Sequence, residues 1–243
     1  MFTILNFSSR ADLTQTVKSK IIWPNWRGRW ILGRHACLGR DVFDLVDCDF
    51  QIFNIQKGRV DHLISSFQKS YTRTRSVLVS KFLSRKDITP FLRQQEYCGN
   101  LPKYSPQFIY MDSFSELVDQ FFVHREEQWG CCCCYSDIDH TEAFKASFKK
   151  MGLLNINSIE LNYRLFFDFI KRKYGEVPVL FLHFPSGLES RKKYVERADV
   201  IYRVIEKMAK EYPTLYSISV DNDIVSKPTK DNIKSQDFPY HYN

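Results

Sequence analysis

The stretch that most constrains the fold is Val177-Pro-Val-Leu-Phe-Leu-His-Phe184, apolar on both faces that a strand would present. A strand with one wet face alternates apolar and polar residues. A continuous apolar run needs cover above and below, which is the setting of a central strand in a parallel sheet. Helical patterns flank it. Residues 157–174 place Leu161, Leu165, Phe169 and Ile170 on one face and stop near Gly175. Downstream, Tyr194, Ala198, Ile201, Ile205, Met208 and Tyr212 repeat at helical spacing as far as Pro213, and Leu215–Val220 reads as the next strand. Ser186-Gly-Leu-Glu189 has the spacing of a capping box for that helix.

The alternation extends back to residue 29. Residues 29–33 read as a short strand, Leu38–Val46 as a helix, Phe50–Ile55 as a second strand, and Gly58–Phe67 as a helix with Val60, Leu63, Ile64 and Phe67 on one face. Val77 to Leu83 is an apolar segment of either type. Thr89-Pro90 suits a helix start. Gln107–Met111 is a third strand. Phe114, Leu117, Val118, Phe121 and Phe122 predict an amphipathic helix after it. Another helix is expected over 141–151.

Strands alternating with helices imply an α/β fold: a three-layer α/β/α sandwich around a mostly parallel central sheet. With 243 residues, 44% of them hydrophobic, the chain can bury the core of one large domain. Residues 29–243 are read as that domain, with an excursion at about 124–156. Residues 1–28 do not fit the alternation and are read as an N-terminal extension or flap.

The formal net charge is +7. The basic residues are scattered, so solvated faces are favoured over a polyanion groove, and no nucleic-acid partner is expected. The charge does suit an acidic polymer or peripheral contact with an anionic membrane surface. No run approaches the ~18 apolar residues of a membrane span, and the start lacks the pattern of a secretory leader. A cytoplasmic location is the expectation.

Seven cysteines are present: Cys37, Cys48, Cys98 and the run Cys131 to Cys134. The odd count and absence of a spaced framework predict reduced thiols. Zinc sites use spaced ligand pairs whose side chains converge, whereas neighbours on a strand point to opposite faces. The run is therefore read as packing residues, and no metal is expected.

Ligands in open α/β sheets sit at the carboxyl ends of the strands. The ends here carry His35-Ala36-Cys37, Asp112-Ser113, Phe184-Pro185-Ser186 and Asp221-Asn222-Asp223. The first is a tight polar elbow between a strand and a helix, where α/β hydrolytic enzymes present a nucleophile. The elbow reads His35-Ala36-Cys37-Leu38-Gly39-Arg40-Asp41, and the chain closes on Pro239-Tyr240-His241-Tyr242. At these two places, in order and separation, the chain resembles the SGNH (GDSL-like) hydrolase superfamily. It is most similar to a divergent branch found among bacterial surface-polysaccharide (capsule and O-antigen) genes. That branch opens with Gly-Ser-Cys-Val-Ser/Thr-Arg-Asp and closes with an aromatic-His-Tyr.

The resemblance implies an SGNH- or flavodoxin-like sheet and a carbohydrate O-acyl (acetyl) esterase or O-acyltransferase acting on a surface polysaccharide. It needs no resident cofactor, with acetyl-CoA as the acyl donor if transfer is the reaction. It implies His241 as general base and Asp237 as its orienter, one residue further away than in the usual D-x-x-H. Gly58 stands as an oxyanion donor, and Asp112-Ser113 stands where an oxyanion asparagine would be sought. His35 could hold a substrate carbonyl or lie in a surface turn, and Arg40 could pair with Asp41 to fix the elbow. Ala36 occupies the nucleophile position and cannot attack a carbonyl. Three explanations stay open: an engineered Ser→Ala replacement, Cys37 as nucleophile at a helix N-terminus, or an inactive relative that binds a glycan or acts as a scaffold. Trp23-Pro-Asn-Trp26-Arg-Gly-Arg29-Trp30 interleaves aromatics with arginines and could stack sugar rings or pack a flap.

Overall fold

In the computed structural model, residues 30–44, 50–68 and 73–222 are described. The 1–28 extension, Asp237, His241 and residues 223–243 lie outside them. So does the side chain of Asp41, and with it the Arg40–Asp41 pairing.

Five parallel strands build the central sheet: β1 (Trp30–Arg34), β2 (Gln51–Asn54), β3 (Phe108–Asp112), β7 (Val179–Leu182) and β8 (Leu215–Ile218), in the order β2-β1-β3-β7-β8. The run that anchored the sequence reading is β7, paired on both sides and buried with Phe181 and Leu182. Helices α2 (Val60–Phe67), α7 (Ile159–Tyr174) and α8 (Lys192–Ala209) cover one face, packing Leu63, Tyr163, Phe166, Ile201 and Ile205 onto Leu32, Ile109, Met111, Val179 and Phe181. The other face buries Ile31, Ile52, Tyr110 and Leu182, with Leu38 of α1 (Cys37–Asp44) against them. The result is the α/β sandwich with a mostly parallel sheet. Gly175 ends α7 at φ +77°, a conformation glycine adopts without a Cβ penalty. Among the described residues no helix is long and apolar enough to cross a membrane.

Helices α3 (Ser76–Ser80) and α4 (Thr89–Gln95) follow α2, with proline in the first turn of α4. The helix expected over Phe114–Phe122 is corrected. Only α5 (Phe114–Val118) is helical. The chain then extends into β4 (Asp119–His124), which pairs antiparallel with β5 (Gly130–Cys134) and β6 (Phe148–Gly152). The helix expected over 141–151 is likewise short: α6 spans Glu142–Ser147 before β6 begins. Pairing overrides the helical spacing in both places, because alternate residues find separate partners. Phe122 enters a second core with Trp129, Phe144 and Phe148 beneath α3 and α4, while Phe121 and Val123 pack with Cys132 on the opposite face. The three strands lie within residues 119–152, and their core is shared with Val79 of α3 and Leu92 of α4.

Cys131 and Cys133 face that second core and Cys132 the other side, all fully buried. Burial pushes the Cys131 thiol up to about 12. Among the described residues no cluster of ligating side chains could hold a metal ion.

Ser186-Gly-Leu-Glu189 does not cap α8. Helix α8 starts six residues later than Ser186, with Arg191 preceding it. Ser186 O accepts Glu189 N–H in a turn, and the Glu189 carboxylate binds Arg191 instead.

Candidate functional site at the carboxyl edge of the parallel sheet

In the order β2-β1-β3-β7-β8 the chain turns to opposite sides of β1, making the crevice beyond β1 and β3 the topological switch point. The elbow and Asp112-Ser113 face each other there. Asp112, only 2% exposed, accepts the Ala36 N–H on Oδ2 at 2.6 Å and the Phe114 N–H on Oδ1 at 3.0 Å. Burial pushes its carboxyl up to about 7, against the pull of those two N–H groups and of Arg34. Ser113 is equally buried, and its Oγ accepts the Phe184 N–H at 3.0 Å. These two side chains tie the ends of β1, β3 and β7 together.

From the β2 side, Asn54 clamps the elbow: His35 N–H donates to its Oδ1 and its Nδ2 donates to His35 O, each at 3.2 Å. His35 is neither in a surface turn nor exposed to a ligand. It is 4% exposed, its ring packs on Tyr110 at 5.3 Å between centroids, and its Nδ1 lies 3.0 Å from Ala36 O. The ring lies against Gly39, where a Cβ would come within 2.5 Å of His35 Cβ. The His35 side chain thus fills the space that a side chain at position 39 would need, so a larger residue at 39 has to be compensated by a smaller one at 35. We expect Gly39→Ser alone to destabilise the chain by about 1–3 kcal/mol through overpacking. His35→Gly with Gly39→Ser should recover much of that loss, read by urea unfolding. Equal losses in single and double variants would contradict the compensation.

The remaining expected groups are placed as follows. Gly58 N–H donates to Ile55 O at 3.2 Å, and Gly58 O accepts from Arg34 Nη1 at 3.1 Å. Arg40 is exposed, and its N–H donates to Ala36 O in the first turn of α1. Ala36 is 2% exposed; Cys37, half-buried, is the first residue of α1. Structure therefore brings His35, Ala36, Cys37, Asp112 and Ser113 together at the carboxyl ends of β1 and β3, with Gly58 linked to them through Arg34.

Two buried ionic groups carry no periodic signature in the sequence pattern. Arg34 binds Glu116 through Nη1 at 2.7 Å and Nη2 at 2.8 Å, and Nη2 also donates to Asp112 O at 2.6 Å. Glu116 further accepts Val60 N–H and Tyr163 O–H, each at 2.8 Å. Burial opposes the Arg34 charge, but the adjacent Glu116 carboxylate outweighs it and raises the guanidinium above its ordinary value. At the end of β2, Lys57 Nζ sits 3.2 Å from Asp119 Oδ1 and 3.1 Å from Asp137 Oδ2. Burial again works against the charge, and Asp119, Cys134 and Asp137 hold the ammonium well above its ordinary value.

Burial pushes His35, His62 and His183 from 6.5 down to about 4. His183, at the end of β7, is a core histidine satisfied by Ser217 Oγ at 2.9 Å from Nε2. Each ring is charged in the unfolded chain below 6.5 but stays neutral in the fold until about 4. The unfolded state thus binds more protons in that window, and stability falls as the solution is acidified, by up to ~3 kcal/mol for each histidine. Asp112 and Asp119 carry raised carboxyl values and oppose this, since a fold that keeps its proton gains in acid. Three histidines outweigh them, so the urea midpoint should drop between pH 6.5 and 4. His62→Phe should flatten the drop; an unchanged pH profile in that variant would exclude the assignment.

No protein-family model matches the chain, and no curated protein matches it.

Proposed function

We propose that the chain is an SGNH-like α/β domain that binds a carbohydrate at the carboxyl edge of its sheet without acyl turnover. The observation that carries this reading is the 2.6 Å bond from Ala36 N–H to the Asp112 carboxylate. A backbone N–H at a nucleophile elbow would have to meet the developing oxyanion. Here it meets a carboxyl oxygen of the protein itself, and the residue that bears it has no hydroxyl. Gly58 N–H is engaged by Ile55 O. The carbohydrate ligand follows from the resemblance to the surface-polysaccharide branch, and the +7 charge suits an acidic glycan in a cytoplasmic setting.

One observation favours a second reading, an O-acetyl esterase or acetyl-CoA-dependent transferase: Cys37 stands at the first turn of α1, half-buried rather than sealed. His241 would be its base and Asp237 the orienter of that base. The two readings separate on hydrolysis of p-nitrophenyl acetate and acetyl-CoA by the native chain, Cys37→Ala and Ala36→Ser. Binding without turnover predicts rates equal to buffer for all three, with saturable binding of an acidic polysaccharide. Native activity that disappears in Cys37→Ala would overturn it.

A further inference from the structure

We propose that Lys57 and Cys134 are a site of covalent modification, joining through an Nζ–O–Sγ bridge when the reduced protein meets dioxygen. Lys57 Nζ and Cys134 Sγ lie 3.4 Å apart, and both bind the same oxygen, Asp119 Oδ1, at 3.2 Å and 3.3 Å. Asp137 completes the frame, its Oδ2 lying 3.1 Å from Nζ and accepting Cys134 N–H at 2.9 Å. Two buried carboxylates thus hold an amine and a thiol face to face, about one bridging atom apart. Lys57, Asp119 and Asp137 are sealed from solvent, while Cys134 is partly exposed, so a small oxidant reaches the pair from the sulfur side. The neighbouring Cys133 points into the second core on the opposite face of β5, which disfavours a disulfide along the strand.

The site also supplies a proton acceptor. Asp119 Oδ2 is buried and has no hydrogen-bond partner among the described residues. The S–H bond, two N–H bonds of the ammonium and the O–O bond break, and S–O and N–O bonds form. Sulfur and nitrogen each give up two electrons, and dioxygen accepts the four. One of its oxygens becomes the bridge, and the other leaves as water with two of the released protons. The remaining proton goes to Asp119, so the loss of the ammonium charge is matched by loss of the carboxylate charge. The bridge ties the end of β2 in the parallel sheet to the end of β5 in the antiparallel one.

Intact mass spectrometry of native protein, prepared under reductant and anaerobically and then incubated in air, tests this. The expected product is heavier by one oxygen and lighter by two hydrogens, returns to the starting mass on treatment with a thiol reductant, and yields one cross-linked peptide containing residues 57 and 134. Cys134→Ser and Lys57→Arg should each abolish it. A plain oxygen gain would mean sulfenic acid, and a loss of two hydrogens a disulfide; either of these alone, or no change, overturns the proposal. So does the same mass shift surviving in Cys134→Ser. The anaerobic and aerated native samples decide the question even where a variant folds poorly.

Discussion

Glu116→Ala should destabilise the protein by about 3–5 kcal/mol, the loss seen when one partner of a buried ion pair is removed. The Glu116 side chain is fully buried and holds both nitrogens of Arg34, the Val60 N–H that opens α2, and the Tyr163 hydroxyl in α7. Its backbone carbonyl accepts Arg197 Nη2 from α8 at 2.7 Å. Removing the carboxylate leaves the buried guanidinium with two carbonyl partners but no counter-charge, and takes the acceptor from the Tyr163 hydroxyl and the Val60 N–H, at the junction of β1, α2 and α7. Replacing both charges, as Arg34→Met with Glu116→Leu, should recover a large part of the loss, because a buried pair and its apolar substitute are close in energy. Urea unfolding of the three variants decides it. A Glu116→Ala protein within about 0.5 kcal/mol of native would put this residue among ordinary surface positions and refute the network.

Lys57→Met should produce a loss of similar size at neutral pH, about 3–5 kcal/mol, by leaving Asp119 buried without its cation and Asp137 beside it with only Arg85, 3.8 Å away. Its signature lies in the pH dependence. Burial already raises the Asp119 carboxyl and the ammonium pulls it back down, so without Lys57 it holds its proton to higher pH still and acid neutralises it preferentially in the fold. The gap between variant and native protein should therefore narrow as the pH falls from 7 to 5, measured by paired urea titrations. A gap that stays constant would mean that Lys57 contributes packing rather than charge.

These two networks explain why part of the protein was legible in its sequence and part was not. The order of strands and helices around the parallel sheet could be read because each element carries its own periodicity: the continuous apolar run of β7, the helical stripe of α8, the glycine after α7. The elbow could be placed at a strand end for the same reason. The antiparallel sheet over 119–152 could not. Phe114 to Phe122 satisfies helical spacing, and the extension from Asp119 onward depends on Gly130–Cys134, which pairs with it from elsewhere in the chain. Arg34, Glu116, Lys57 and Asp119 carry no such periodicity, and isolated charges read as solvent-facing until tertiary structure pairs them. One signal was available: Glu116 and Asp119 sit among Phe114, Leu117, Val118, Phe121 and Phe122, and Lys57-Gly58-Arg59 comes just after a strand. The closing of the elbow was also hidden, since it depends on Asp112 and Asn54 reaching across from neighbouring strands.

The claim that this elbow binds without turning over is tested most directly by the intact mass of the native chain after exposure to p-nitrophenyl acetate. With the Ala36 N–H held by Asp112 and no hydroxyl at position 36, the chain should carry no acetyl group on Cys37 and regenerate none with time. A stoichiometric acetyl adduct on Cys37 that is lost again by hydrolysis, and that His241→Ala slows, would contradict the account and establish the crevice as a thiol active site.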